Sequence, residues 1–286
     1  MIKIFKKLDI NKLYFEDDGL PVQEVGQWTV EKYILLYLYL EMFSTGIKNK
    51  FNNRVYVDLF SGSGCSGLED DDKIYKGSPL LSLSVPDKFT KYIFCESDKN
   101  FFDLLTKRID NYSECNKVLF NADCHQVIDK IILEIPVNSS LSCCFIDPWS
   151  INIDFATIKK LANSRRVDFL ILLALGMDVK RNKKIYLDEQ NNRIDKLLGS
   201  SSWREYWNEK ESVGEKFARF VAETFSEQMF GLGYLKDAKQ TRIFKLNQKN
   251  VPLYYIAFYS KDQLGYKYWH EVLKYETEQE ELNLFG

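Results

Sequence analysis

The stretch Val55–Gly67, VYVDLFSGSGCSG, decides how this chain is read. A run of β-branched and aromatic residues around one acid, Asp58, reads as a buried strand over Arg54–Phe60. It gives way to Gly62-x-Gly64-x-x-Gly67. Glycine suits a place where the backbone turns sharply and lies against a ligand, because no Cβ stands in the way. GxGxxG alone is weak evidence. Asp58 sharpens it, since a pyrophosphate seated at this turn would be repelled by a carboxylate. A ligand with no phosphates and with a cationic amino group and sulfonium tolerates that acid. S-adenosylmethionine is such a ligand.

Working outward, short apolar runs alternate with helical patterns. Strands are predicted at Tyr92–Cys95, Lys117–Asn121, Ser142–Ile146 and Val167–Leu173. Helices are predicted at Tyr33–Phe43, Ser78–Val85, Asp98–Ile109, from Cys124 through Ile132, and at Phe155–Ala162, with Ser78 as a cap and Pro79 in the first turn. This alternation implies right-handed βαβ units and a parallel sheet. Beyond Leu175 the pattern breaks into a polar, Trp-bearing region with weak helices near 190–198 and 201–209. A clear helix follows at Phe217–Phe230, then an antiparallel pair, Arg242–Leu246 with Leu253–Ser260, and a last helix over Leu264–Glu276. That order is the order of the α/β class I methyltransferase fold, Rossmann-like, with a mostly parallel sheet and a terminal antiparallel β-pair. Residues 1–50 read as an N-terminal helical segment covering the donor site. Residues 51–286 read as the Rossmann-like domain, with 176–240 partly an insertion over the acceptor cleft.

Composition bounds the rest. The 286 residues are 45% hydrophobic, enough for a large core. Lys plus Arg is 39 against 41 Asp plus Glu, a net charge of -2, which excludes a histone-like protein. Acidic clusters at Glu16–Asp18, Glu69–Asp72 and Glu276–Glu281 leave the remainder with an excess of cations. No run approaches the ~18 apolar residues of a membrane span, and Met1–Ile10 alternates Lys with apolar residues rather than forming a signal core. Six cysteines without a CxxC pair and only two histidines, His125 and His270, argue against zinc and for reduced thiols in the cytoplasm.

Three acids fall at predicted strand ends: Asp58, Glu96 in YIFCES and Asp123 in NADC. Open α/β sheets bind ligands there, and an acid after the second strand commonly holds ribose hydroxyls. Asp123 is placed to accept from an adenine amino group, although it reads equally well as a helix cap. The expected donor site is Asp58, Phe60, Gly62, Ser63, Gly64, Glu96, Ser97, Asp123 and Cys124. The fourth strand ends in FIDPWS. Asp147, Pro148 and Trp149 resemble the (D/N)PP(Y/F) element of methyltransferases that act on exocyclic amines, and the DPFGS of tRNA guanine-N2 dimethyltransferases. An acid accepts the amine N–H, proline keeps the chain extended so that its carbonyl accepts too, and the aromatic stacks on the base.

Together VYVDLFSGSG, GSPLLSL, YIFCESD, NADC, FIDPWS, VDFLILLALGMDVKR, LLGSSSW and YYIAFYSKDQLGYKYW resemble the three-Cys-motif partner protein family, over Gln27 to Trp269. The resemblance implies a methyltransferase-like protein using S-adenosylmethionine, associated with a separate radical-SAM-like three-cysteine protein, often on mobile or phage-linked elements. It carries Asp58, Gly62 and Gly64 as the donor loop, Glu96 and Asp123 as the following acids, and Asp147–Trp149 as the DP-aromatic element. It also carries Gly176, Met177 and Arg181 as a segment expected on the acceptor side. The family element usually reads DPFG; here Trp149 and Ser150 replace Phe and Gly, which raises the question of whether Ser150 makes the same turn.

The basic run Lys180, Arg181, Lys183, Lys184 lies just past the fifth strand, and Lys180 and Arg181 are candidates for a nucleic-acid backbone. Trp203, Tyr206 and Trp207 share a helical face and read as core. His125 reads as structural, and Lys32 and Tyr33 as candidates to cover the donor. The expected activity is N-methylation of an exocyclic amine in RNA or DNA. The alternatives are a catalytically silent module that binds S-adenosylmethionine for a three-Cys-motif partner, and, more weakly, a nicotinamide-dependent oxidoreductase.

Overall fold

The computed structural model describes residues 9–68, 71–212, 216–239, 241–246 and 251–284. The start of the Met1–Ile10 segment and Glu69 and Asp70 of the second acidic cluster lie outside them. The chain opens with two short strands, β1 (Tyr14–Phe15) and β2 (Gln23–Val25), then helix α1 (Trp28–Ile47). Next come β3 (Asn53–Asp58), a hairpin of β4 (Cys65–Leu68) and β5 (Asp71–Lys76), and α2 (Ser78–Ser84). The alternating core follows: β6 (Lys91–Glu96), α3 (Lys99–Ile109), β7 (Lys117–Asn121), α4 (Cys124–Glu134), β8 (Ser140–Ile146), α5 (Phe155–Ser164) and β9 (Val167–Leu173). A π-helical turn at Leu175–Val179 leads into α6 (Lys183–Leu187), α7 (Arg193–Leu198), α8 (Trp203–Ser212) and α9 (Phe217–Gly231). Strands β10 (Thr241–Leu246) and β11 (Val251–Tyr259) precede α10 (Gln263–Leu284).

The main sheet has seven strands in the order β10-β11-β9-β8-β3-β6-β7. β3 is parallel to β6 and β8, β6 to β7, and β8 to β9. β11 alone runs against this block, antiparallel to both β9 and β10. This strand order with one reversed strand is the class I methyltransferase fold, a Rossmann-like α/β architecture.

The strands alternate with a period of two between two cores, which is why they read as continuous apolar runs. In β9, Phe169, Ile171 and Leu173 face the core built with α4, α5 and α7–α9. Leu170 and Leu172 face the core built with α1, α2, α3 and α10. Cys143 and Phe145 of β8 go to the second core, Cys144 and Ile146 to the first. Trp203 and Trp207 are buried as expected, whereas Tyr206 is exposed.

One element is new and one expectation changes. The glycine segment ends in a strand that the sequence reading did not place. Gly67 lies inside β4, and the hairpin pairs with β1 and β2 in a separate four-stranded sheet, β1-β5-β4-β2. The cap of α2 is Gly77 and not Ser78, which sits in the first turn. A Cβ on Gly77 would stand 2.9 Å from the Gly64 carbonyl oxygen, which already accepts the Gly77 N–H at 2.7 Å. No room is left there for a serine-type cap, and the Ser78 hydroxyl turns to Asp58 instead.

Candidate functional site

The edge expected to hold the donor is built at the carboxyl ends of β3 and β6. After Asp58 the chain turns through Gly62 and Gly64, both in the left-handed region with φ of 61° and 89°. A Cβ on Gly62 would meet nothing within 4 Å, so this glycine serves its own turn and borders open space. The loop is stitched to β6 through both the backbone and the side chain of Ser61: its N–H donates to the Cys95 carbonyl at 3.0 Å, and Cys95 N–H donates to Ser61 Oγ at 3.1 Å. Glu96 spans the gap. One carboxylate oxygen accepts from Gly62 N–H at 2.8 Å and the other from Asp98 N–H at 2.7 Å. Each carboxylate oxygen has two acceptor directions, so Glu96 keeps capacity for hydroxyl donors. Asn121 holds the strand end by donating to the Glu96 carbonyl at 3.0 Å.

Asp58 is fully buried. It accepts from Tyr56 OH at 3.1 Å and from Phe60 N–H at 3.3 Å, and the Ser78 hydroxyl bonds it as well. Burial outweighs these donors and pushes its carboxyl up to about 7. Asp123 caps α4 by accepting from His125 N–H at 2.9 Å, and the residue stays exposed. Both readings of this acid are thus open, as cap and as surface acceptor. Ser63 and Cys124 are buried, with the Ser63 hydroxyl given to the Cys65 carbonyl at 3.0 Å. Phe60 is half-buried and Ser97 exposed. His125 bonds Thr157 at 2.8 Å and is a structural contact. This edge fits S-adenosylmethionine: there is open space at Gly62 and an acid with spare acceptor capacity at Glu96.

Beneath the loop lies Arg108 of α3, 2% exposed. It donates to the Ser63 carbonyl at 2.8 Å, to the Pro21 carbonyl at 2.9 Å and to Asp18 at 2.9 Å. The N-terminal segment and the glycine loop therefore hang on one guanidinium. Burial opposes ionisation of Asp18, but the bonds and charge of Arg108 hold its carboxyl below the usual range.

The acceptor edge is built at the carboxyl end of β8. Asp147 is met by Lys32, whose ammonium lies 2.5 Å from the carboxylate. Lys32 is nearly buried on α1. Burial works against its charge, yet Asp147 holds its pKa above the ordinary value, helped by Tyr33 and Tyr254. Tyr33 bonds Ser66 at 3.1 Å, fixing α1 to the hairpin. Pro148 is buried, and Trp149 beside it is 76% exposed. Ser150 adopts a left-handed conformation: its φ is 67°, and its hydroxyl donates to Asp178. That bond ties the residue after Trp149 to Asp178, two and three positions before Lys180 and Arg181; both cations are exposed, as is Lys184. Lys183 instead pairs with Glu211 at 2.5 Å and lies over the Trp207 ring.

Sequence reading did not foresee the Lys32 pair, Arg108 or Asp178. A lysine inside the apolar run of α1 was the one available signal for the first. The other two partners lie far off in sequence.

A scan against family models finds no match, and a comparison with curated proteins finds none. Among solved structures, the chain is similar to protein LPL1258 from Legionella pneumophila. Identity is 13%, the match covers 80% of this chain and 84% of that one, and the TM-score is 0.48. It is also similar to an rRNA methylase from Streptococcus thermophilus, at 10% identity, covering 79% and 94%, with a TM-score of 0.39. A third is precorrin-6y C5,15-methyltransferase from Geobacter metallireducens, at 10% identity, covering 88% and 98%, with a TM-score of 0.42. Likeness this distant carries no argument about activity, and the fold stands on its own strand order. Among the described residues no helix is long and apolar enough to cross a membrane.

Proposed function

We propose that this chain is an S-adenosylmethionine-dependent methyltransferase acting on an exocyclic amine of a nucleic-acid base. The observation that carries the reading is the end of β8. An acid paired to a buried lysine, a buried proline and an exposed tryptophan stand in succession, and Ser150 after them is bonded to Asp178, which lies just before exposed Lys180 and Arg181 in the chain. An exposed ring followed by a segment with exposed cations suits a base with its phosphate, because stacking and charge act together.

The donor supplies an electrophilic methyl on a sulfonium. Glu96 binds the ribose hydroxyls, Asp123 the adenine amine, and the Gly62–Gly64 turn leaves room for the methionine end, with Asp58 beneath it. Phe60, Ser63, Ser97 and Cys124 frame that site. Asp147 and the Pro148 carbonyl accept the N–H groups of the amine and aim its lone pair. Trp149 stacks on the base. The N–C bond forms as the S–C bond breaks, its electron pair stays on sulfur, and the nitrogen sheds one proton to solvent. Positioning accounts for most of the rate, since the methyl is already activated. Residues 1–50 cover the donor side, and 176–240 flank the acceptor.

Calorimetric titration with S-adenosylmethionine, wild type against Glu96→Ala, tests the donor site. Methyl transfer to RNA and DNA, wild type against Asp147→Ala, tests the acceptor site. Equal transfer by the two proteins overturns the reading. The resemblance to three-Cys-motif partner proteins adds a proposed protein partner in the cytoplasm. Co-purification of such a partner, with donor binding but no transfer by the pair, would favour the silent module.

A further inference from the structure

We propose that Asp178 is a positioning residue that locks Ser150 in a left-handed turn and so sets the direction of Trp149. The inference rests on the reading of Asp147–Trp149 as the acceptor site.

Trp149 is 76% exposed, so little packs around its ring to hold it. Its placement depends on the backbone at either side. On the N-terminal side Pro148 is buried and its φ is fixed by its ring. On the C-terminal side Ser150 sits at φ 67°, a region that L-residues with a Cβ avoid and that glycine occupies freely. Among the described residues only Ser139 shares this feature. Such a conformation persists when its surroundings over-determine it. Here the surroundings are the Asp178 carboxylate, joined by the Tyr186 hydroxyl that bonds Ser150 as well. Asp178 accepts from the Ser150 hydroxyl on one oxygen; on the other it accepts from Asn182 Nδ2 and from Tyr186 OH, each at 2.7 Å. Tyr186 is 4% exposed, so the anchor is itself anchored in the core. Asp178 lies in the π-helical turn after β9, where Lys180 and Arg181 follow within three residues. All three of its donors come from the chain. Its role is therefore to hold and not to react.

The test uses the full chain and two readouts. Amide hydrogen exchange over Asp147–Ile151 reports the turn without any substrate. Asp178→Ala and Ser150→Ala should each speed it about tenfold, while Tm moves little for Ser150→Ala, because Asp178 keeps its other two donors. Exchange within twofold of wild type in both variants overturns the lock. Methyl transfer to RNA reports the consequence. Asp178→Ala should lose about tenfold in kcat with an unchanged KM for S-adenosylmethionine. Adding Ser150→Gly should restore most of that loss, because glycine takes the left-handed turn without a clamp. A double variant as slow as Asp178→Ala overturns the positioning role. If the wild type transfers no methyl group, the proposed activity falls, while the exchange readout still decides the lock.

Discussion

The two edges of the cleft are assembled by different means. The donor edge, from β3 to β6, is knitted by bonds in which at least one partner is a backbone group: Ser61 with Cys95, and the N–H groups of Gly62 and Asp98 with the Glu96 carboxylate. The acceptor edge is assembled by bonds from side chain to side chain. Lys32 reaches Asp147 across 115 positions and Asp178 reaches Ser150 across 28. A backbone-built edge depends on glycine and strand geometry, and most single side-chain changes leave it standing. A side-chain-built edge fails when one partner is removed, because the charge or strained turn left behind has nothing to offset it.

The largest expected effect breaks the acceptor edge at its centre. Asp147→Ala should lower methyl transfer about a thousandfold while S-adenosylmethionine affinity by calorimetry stays within threefold. A parallel loss of donor affinity would mean that the two edges are not separate. Next is Arg108→Ala, which strips a fully buried guanidinium from the donor edge. It should cost about 3 kcal/mol in urea denaturation. Because Asp18 is held below its ordinary value, its share of that stability is present above the unfolded pKa and is lost as pH falls through the folded one. The variant should therefore show a flatter acid limb below about pH 4. A smaller effect is expected from Glu96→Ala. Loss of the proposed ribose acceptor should weaken S-adenosylmethionine binding about thirtyfold by calorimetry, with about 1 kcal/mol of stability lost because Gly62 and Asp98 N–H lose their acceptor.

Asp58→Asn should have the smallest effect and the sharpest diagnostic value. A buried acid raised to about 7 costs stability as it ionises, so the cost grows between pH 4 and pH 7 and is complete above pH 7. Asparagine removes the charge and keeps an acceptor for Tyr56. Thermal unfolding should show a variant at least 1 kcal/mol more stable at pH 8 and equal to wild type at pH 4. Asp168, buried at the start of β9 and also pushed up to about 7, contributes the same trend and remains in both proteins. No gain at pH 8 would mean that Asp58 is compensated by a cation.

Strands β3, β6, β7, β8 and β9 lie within two residues of where the apolar runs place them; the faces of all but the edge strand β7 are largely buried, and a continuous apolar run has few other homes. Helices α3 and α4 start where Asp98 and Asp123 allow a cap. The hairpin β4–β5 was not legible. Its strands are short and mixed in polarity, and their partners β1 and β2 lie about 45 to 60 positions upstream. Helix α6 and the π-helical turn were missed for a similar reason, since their order depends on Asp178 bonding Tyr186 and Ser150.

By itself, then, the sequence determined the alternation, the glycine turn and which acids stand at strand ends, since propensity, period and capping are local quantities. Only the tertiary structure decided that a lysine from α1 pairs with Asp147, that Ser150 adopts a glycine-like turn and that Arg108 ties the N-terminal segment to the loop. Each of those depends on a charge or a strained dihedral meeting a partner that folding alone brings within a few ångströms.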